Sequence, residues 1–209
     1  IETLLGVNGK KIYQELRGNS CVPIELIPPT RQQIVSSRSF GIDLTDFDEL
    51  NQALTALTRK AVNKLNNHKL AMTTMTVFIY TNPHKKDKPC AHLSKTVGMP
   101  IAIEDESQII PLASQILRLI YKPGYSFNKG GVILSNLSKN YRQQDLFSIS
   151  QNSQPQVLAR KKSNAIKGIN KRFNESIKYA SEVGNDRWLP RANFRSNRYT
   201  TSWNELLVI

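Results

Sequence analysis

Two stretches of helical periodicity, each set between β-rich runs, constrain this chain more than any other feature. Phe47, Leu50, Leu54, Leu57, Ala61 and Leu65 recur every three or four residues, which makes one apolar face about five turns long. Thr45 or Asp46 stands where a cap is needed. Asp46, Asp48 and Glu49 begin the helix and Lys60 and Lys64 come late in it, the order that a helix dipole favours. Ile109, Ala113, Ile116, Leu117 and Ile120 form a second such face after Glu104–Glu106, closed by Pro123-Gly124. Pro111 is compatible with that helix only in its first turn. Around the helices lie four β-compatible runs: Arg31–Gly41, Met72–Thr81, the weaker Ala91–Val97, and Phe127–Leu134. The glycine pair Gly130-Gly131 marks a bulge or a close backbone approach in the last run. The order is β-α-β-β-α-β. It predicts an α+β fold over 31–138, with a four-stranded sheet, both helices on one face and the other face open.

The first of these strands is chemically unusual. Its second half, Ser36-Ser37-Arg38-Ser39-Phe40-Gly41, is small, hydroxyl-rich and cationic. Alternation puts Ile34, Ser36, Arg38 and Phe40 on one side and Val35, Ser37, Ser39 and Gly41 on the other. Serine hydroxyls, main-chain N–H groups and a guanidinium suit a phosphate chain held without reading bases. Taken alone, these residues equally describe an edge strand with polar groups facing water, which is the commoner case. The open face is expected to bear Arg38 and Lys129. The acidic cluster Asp46, Asp48 and Glu49 is read as capping, because side chains at a helix start diverge by about 100° per residue.

Charge points to a polyanion. The 209 residues carry a net +13, and 155–209 alone hold eleven basic against four acidic side chains. No apolar run is long enough to span a membrane, and no secretory signal is present. Cys21, Cys90, His68, His84 and His92 lack metal-ligand spacing, and the expected setting is a reduced cytoplasm. Residues 1–18 show a short helical stripe of Leu5, Ile12, Tyr13 and Leu16, with Gly18 where a helix would stop. The chain starts as if mid-helix and reads as the C-terminal part of something longer. Three prolines between Cys21 and Pro29 make 19–30 a linker. Residues 139–154 are polar and aperiodic, a tether. Within it Gln143-Gln144-Asp145-Leu146-Phe147 fits a surface pocket on a partner, or else folds back onto its own domain. Helical spacing resumes through Leu158, Ile166, Ile169 and Phe173. From Trp188 onward arginines and aromatics interleave, either as core with an arginine cover or as a stacking surface for single strands. Residues 155–209 are expected to form a small α/β appendage.

In sequence order, four passages resemble the C-terminal half of the UmuC-type Y-family translesion DNA polymerases: Glu15–Cys21, Gln33–Gly41, Val77–Pro83 and Ser196–Trp203. The resemblance implies that 1–18 end a thumb and that 31–138 are a little finger. Its Ser36, Ser37, Arg38, Ser39, Phe40 and Lys129 would lie on primer-template DNA. The same resemblance makes Gln143–Phe147 a sliding-clamp peptide, with Gln144 where the family usually has Leu. It also makes 155–209 the family's C-terminal region, with Asn197 and Ser202 departing from its usual motif. Cleaved UmuD and RecA are further implied partners. The family's Mg2+-binding carboxylates belong to a palm expected before Ile1, so the fragment is expected to hold DNA without polymerising; no catalytic or metal residue is identified in it. The rival readings are an RNA-binding module, since the strand–helix order is shared and such modules stack bases on central-strand aromatics, and a protein-interaction scaffold.

Overall fold

A computed structural model describes residues 2–24, 26, 30–85, 89–139, 161–162, 165–166, 168–170, 172–173, 176–184, 186–190 and 194–206. Residues 1–31 and 32–209 are two compact units. In the first, α1 (Glu2–Leu16) is broken at Gly6, whose φ of 64° and ψ of −165° are not helical. The helix ends as expected. Gly18 takes a φ of 84°, its N–H donates to the Glu15 carbonyl, and Asn19 N–H donates to that of Gln14, a paired closure that needs a residue tolerant of the left-handed region.

The second unit holds β1 (Gln33–Leu44), α2 (Phe47–Asn67), β2 (Leu70–Thr81), β3 (His92–Ile103), α3 (Glu106–Ile120) and β4 (Phe127–Lys139). The order is the β-α-β-β-α-β expected, and the strands run a few residues beyond their apolar runs. The sheet is β1-β4-β2-β3 with every neighbour antiparallel. Each helix-linked pair of strands is therefore split by one strand of opposite direction. Asp46 caps α2, accepting from the Asp48 and Glu49 N–H groups. Pro111 falls inside α3, beyond its first turn, contrary to the expectation. The helix persists because Ile109, Ile110, Ala113, Ile116, Leu117 and Ile120 all reach the core, and Pro111 itself is exposed. One missing bond to the Ser107 carbonyl is outweighed by that burial.

Both helices cover one face. Cross-strand partners share a face, so Ile34, Val132, Leu134, Met75, Val77 and Ile79 line the core side. The opposite face carries Ser37, Ser39, Thr76, Phe78, Tyr80, Lys129, Gly131, Ile133, His92, Ser94 and Thr96. Gly131 has a steric role: a Cβ there would stand 2.8 Å from the Phe78 ring and from the Ser36 carbonyl oxygen. The missing side chain lets Phe78 lie down on β4, leaving it 7% exposed although it is on the uncovered face.

The small α/β appendage expected over 155–209 shows no strand among its described residues. Among the described residues beyond 160 there are helical residues and 3-10 turns at Ala180–Glu182, Asp186–Trp188 and Trp203–Glu205, and no strand. Residues 177–184 and 186–189 instead strap the sheet domain along α2 and the far half of β1. Arg59 Nη1 donates to the Ile177 carbonyl at 3.1 Å and Arg59 pairs with Glu182 at 3.1 Å, both side chains buried. Gln52 donates to the Glu182 carbonyl, and Trp188, 4% exposed, joins the core. Its ring meets Phe40 edge-on at 6.4 Å. Gly41 is the point of closest approach, where a Cβ would collide with the Leu189 carbonyl. Burial, with the nearby carboxylates of Glu106 and Asp105 adding to it, pushes the Tyr179 phenol up to about 12.

Candidate nucleic-acid interface

β1 is an edge strand, and three basic side chains gather along its near half. Strand alternation decides which side each residue takes. Ile34 must be buried, so Ser36 and Arg38 follow it to the helix side, opposite Val132 and Gly130 of β4. Arg38 therefore does not share the open face with Lys129, as the sequence suggested. Ser37 and Ser39 do; both are exposed, and Ser39 lies opposite Lys129.

What Arg38 joins is a groove of about 430 Å³ between the free edge of β1 and α2. Its walls are Val35, Ser36, Ser37 and Arg38 from the strand and Leu57, Lys60, Asn63 and Lys64 from the helix. Three cations and no carboxylate line it. No ion pair holds Arg38 among the described residues, and Lys60 and Lys64 are exposed. Lys64 Nζ lies 3.4 Å from the Val35 carbonyl, to which it donates. That carbonyl therefore points away from β4. Alternate peptide groups on a strand point the same way, so the Ser37 N–H is also directed outward, unpaired within the sheet. Main-chain donor, hydroxyls and three cations converge on one channel, a donor set matched to phosphate oxygens.

Lys60, Asn63 and Lys64 were missed as site residues because their spacing reads as the solvated back of an amphipathic helix. Their order, one turn apart on α2, was the available signal. The two remaining residues of the Ser36–Phe40 set turn inward. Ser36 reaches the groove from a buried position, and Phe40 is half-buried against Trp188 and Gly130. A second feature lies across the open face, where Phe78, Tyr80 and His92 run ring to ring with centroids 4.9 and 4.6 Å apart. Gln143–Phe147, Leu158, Arg160, Lys167, Lys171 and Arg191 lie outside the described residues. Among the described residues no group of His, Cys, Asp or Glu is arranged to hold a metal ion, and no helix is long and apolar enough to cross a membrane. Asp46 is spent on capping.

The C-terminal-domain model of the impB/mucB/samB family matches residues 31–146, and a model described only as a domain of unknown function matches 163–209. ImpB of Salmonella typhimurium is 29% identical over 94% of this chain and 46% of its own length. MucB of Escherichia coli is 31% identical over 100% of this chain and 49% of its own. UmuC of Salmonella typhimurium is 28% identical over 96% and 47%. The chain thus spans about half the length of the curated relatives it matches. A solved insertion ternary complex of Dbh DNA polymerase superposes with a TM-score of 0.44 and 18% identity, over 66% of this chain and 38% of that one. With the sheet, the grooved edge and a family match across more than half its length, this chain belongs to the impB/mucB/samB family and carries that family's C-terminal domain.

Proposed function

We propose that this chain is the DNA-holding part of an error-prone translesion polymerase of the UmuC type, acting in SOS mutagenesis and DNA repair in the cytoplasm. The supporting observation is the acid-free groove of Arg38, Lys60 and Lys64 along the open half of the β1 edge. One phosphate run of a primer-template would lie in it, gripped by those cations and the Ser37 N–H. Ser39 and Lys129 would meet the duplex from the adjoining open face. The chain's part is positioning; the Mg2+-dependent chemistry belongs to carboxylates outside it. Fluorescence anisotropy of a primer-template duplex tests this. Affinity should fall linearly in log–log with salt, and replacing all three groove cations by Ala should reduce the slope by about 3. Binding that ignores both salt and these substitutions overturns the reading.

Gln143, Gln144, Asp145, Leu146 and Phe147 are proposed as the sliding-clamp peptide, carried between the strand end at Lys139 and the strap. Truncating Leu146 and Phe147 to Ala should abolish clamp capture and leave duplex affinity unchanged; undiminished capture rejects the assignment. Cleaved UmuD and RecA are proposed as further partners of the polymerase. The RNA-binding alternative gains Phe78 and Tyr80, which do lie on the open face of a central strand. It loses on Phe78, whose ring is pressed onto Gly131 and offers little face to a base. Competition between duplex DNA and single-stranded RNA separates the two.

A further inference from the structure

The end of the chain divides its aromatics unevenly. Trp188 is core, whereas Phe194 is fully exposed and Trp203 is 89% exposed. Trp203 does not sit on loose chain. The Arg198 N–H donates to Glu205 Oε2 at 2.6 Å, and Arg198 Nε donates to Oε1 at 2.9 Å. The Thr201 and Ser202 N–H groups both donate to the Arg198 carbonyl. This closes a small loop, with Tyr199 and Trp203 on the walls of a cleft of about 190 Å³ and Thr200, Thr201, Ser202 and Leu206 completing it. Glu205 is the one acidic residue between Arg187 and Leu206, against Arg187, Arg191, Arg195 and Arg198. Its carboxylate is already committed to Arg198, and Arg195 is exposed.

We propose that residues 194–206 form a binding site for unpaired nucleic acid, in which a base stacks on Trp203 within the Tyr199–Trp203 cleft while Arg195 meets a flanking phosphate. The site is distinct from the β1 groove and does not rest on it. Three observations favour this ligand over an acidic peptide. The backbone that carries Trp203 is closed by hydrogen bonds while the ring stays uncovered, so a flat partner gains stacking at little backbone ordering cost. The cleft rim is hydroxyl and amide, not a continuous apolar groove of the kind that seats a helix. The surrounding charge is positive, as a strand backbone needs. Duplex DNA keeps its base faces internal and cannot use the cleft.

The two tryptophans make the test direct, because Trp188 is buried and Trp203 faces water. Emission of the full 209-residue chain is titrated with an oligothymidylate of about twenty nucleotides, with an oligouridylate, with a blunt duplex and with polyglutamate. Both single strands should quench the exposed emission, and their ratio reports any preference for DNA or RNA; the duplex and polyglutamate should not quench it. Measured by anisotropy of a labelled oligothymidylate, W203A should weaken single-strand binding about tenfold, with W203F restoring most of it and the melting temperature unchanged. Replacing Arg38, Lys60 and Lys64 by Ala should leave the quenching in place while duplex binding falls. Absence of quenching by single strands, or wild-type single-strand affinity in W203A, overturns the proposal. Equal quenching by polyglutamate also overturns it and points to a protein partner.

Discussion

At the scale of single residues, the interior is decided by what each side chain leaves room for. Gly131 admits the Phe78 ring from one side and the Ser37 side chain from the other. Gly131→Ala should cost about 1–3 kcal/mol by overpacking, measured as a lower urea midpoint at unchanged m-value. Arg59 is a sharper case. Its guanidinium is buried between α2 and the strap, paired with an equally buried Glu182. Arg59→Ala leaves that carboxylate without its partner and should cost about 3–5 kcal/mol; the double replacement of Arg59 and Glu182 by Met should cost markedly less. A double variant no more stable than Arg59→Ala would show that the pair holds the strap through its charges. Neither outcome was readable from sequence. Arg59 lies on the apolar-striped helix at a position indistinguishable from a solvated one, and its partner is 123 residues away.

Elements show where propensity yields to packing. α3 carries Pro111 in its interior because the helix's apolar face is worth more than one backbone bond. Pro111→Ala should stabilise the domain by about 1–2 kcal/mol, the helical gain being partly offset by the freer unfolded chain. Thermal unfolding checks this, and a loss of stability would mean that the proline ring itself packs usefully. The strap is the converse case, a segment with little regular structure of its own that is ordered by docking. Trp188→Ala should cost about 3–5 kcal/mol. Trp188→Phe should cost much less, since the indole N–H is buried without a hydrogen-bond partner among the described residues. The strap's location also protects an edge. The far half of β1 lies under residues 186–189 and the near half is left to Arg38, Lys60 and Lys64, so one strand edge is divided between closure and the proposed binding groove.

Across the whole molecule, strap docking should follow alkaline pH through Tyr179. Its folded-state value, about 12, lies above the ordinary phenol value of 10.0. The protonated phenol's contribution is therefore fully present below pH 10 and is lost as pH rises through 12. Tyrosinate absorbance and Trp188 emission recorded together should change in that window; a strap released already at pH 9 contradicts it. What the amino-acid sequence determined by itself is the local and the periodic: two apolar helical faces, four strands, a cap at Thr45 or Asp46, the Gly18 stop and the excess of positive charge. Each depends on residues within a turn or two of one another, where the side chain decides the backbone directly. Tertiary structure alone decided which side Arg38 faces, that Lys60 and Lys64 stand beside it, and that Trp188 is core while Trp203 is not. Burial of Ile34 sets the parity of the whole strand, and strand order places β1 at the edge. Those choices are settled by contacts between segments far apart in the chain, alternation then carrying the burial of Ile34 along β1 to Arg38.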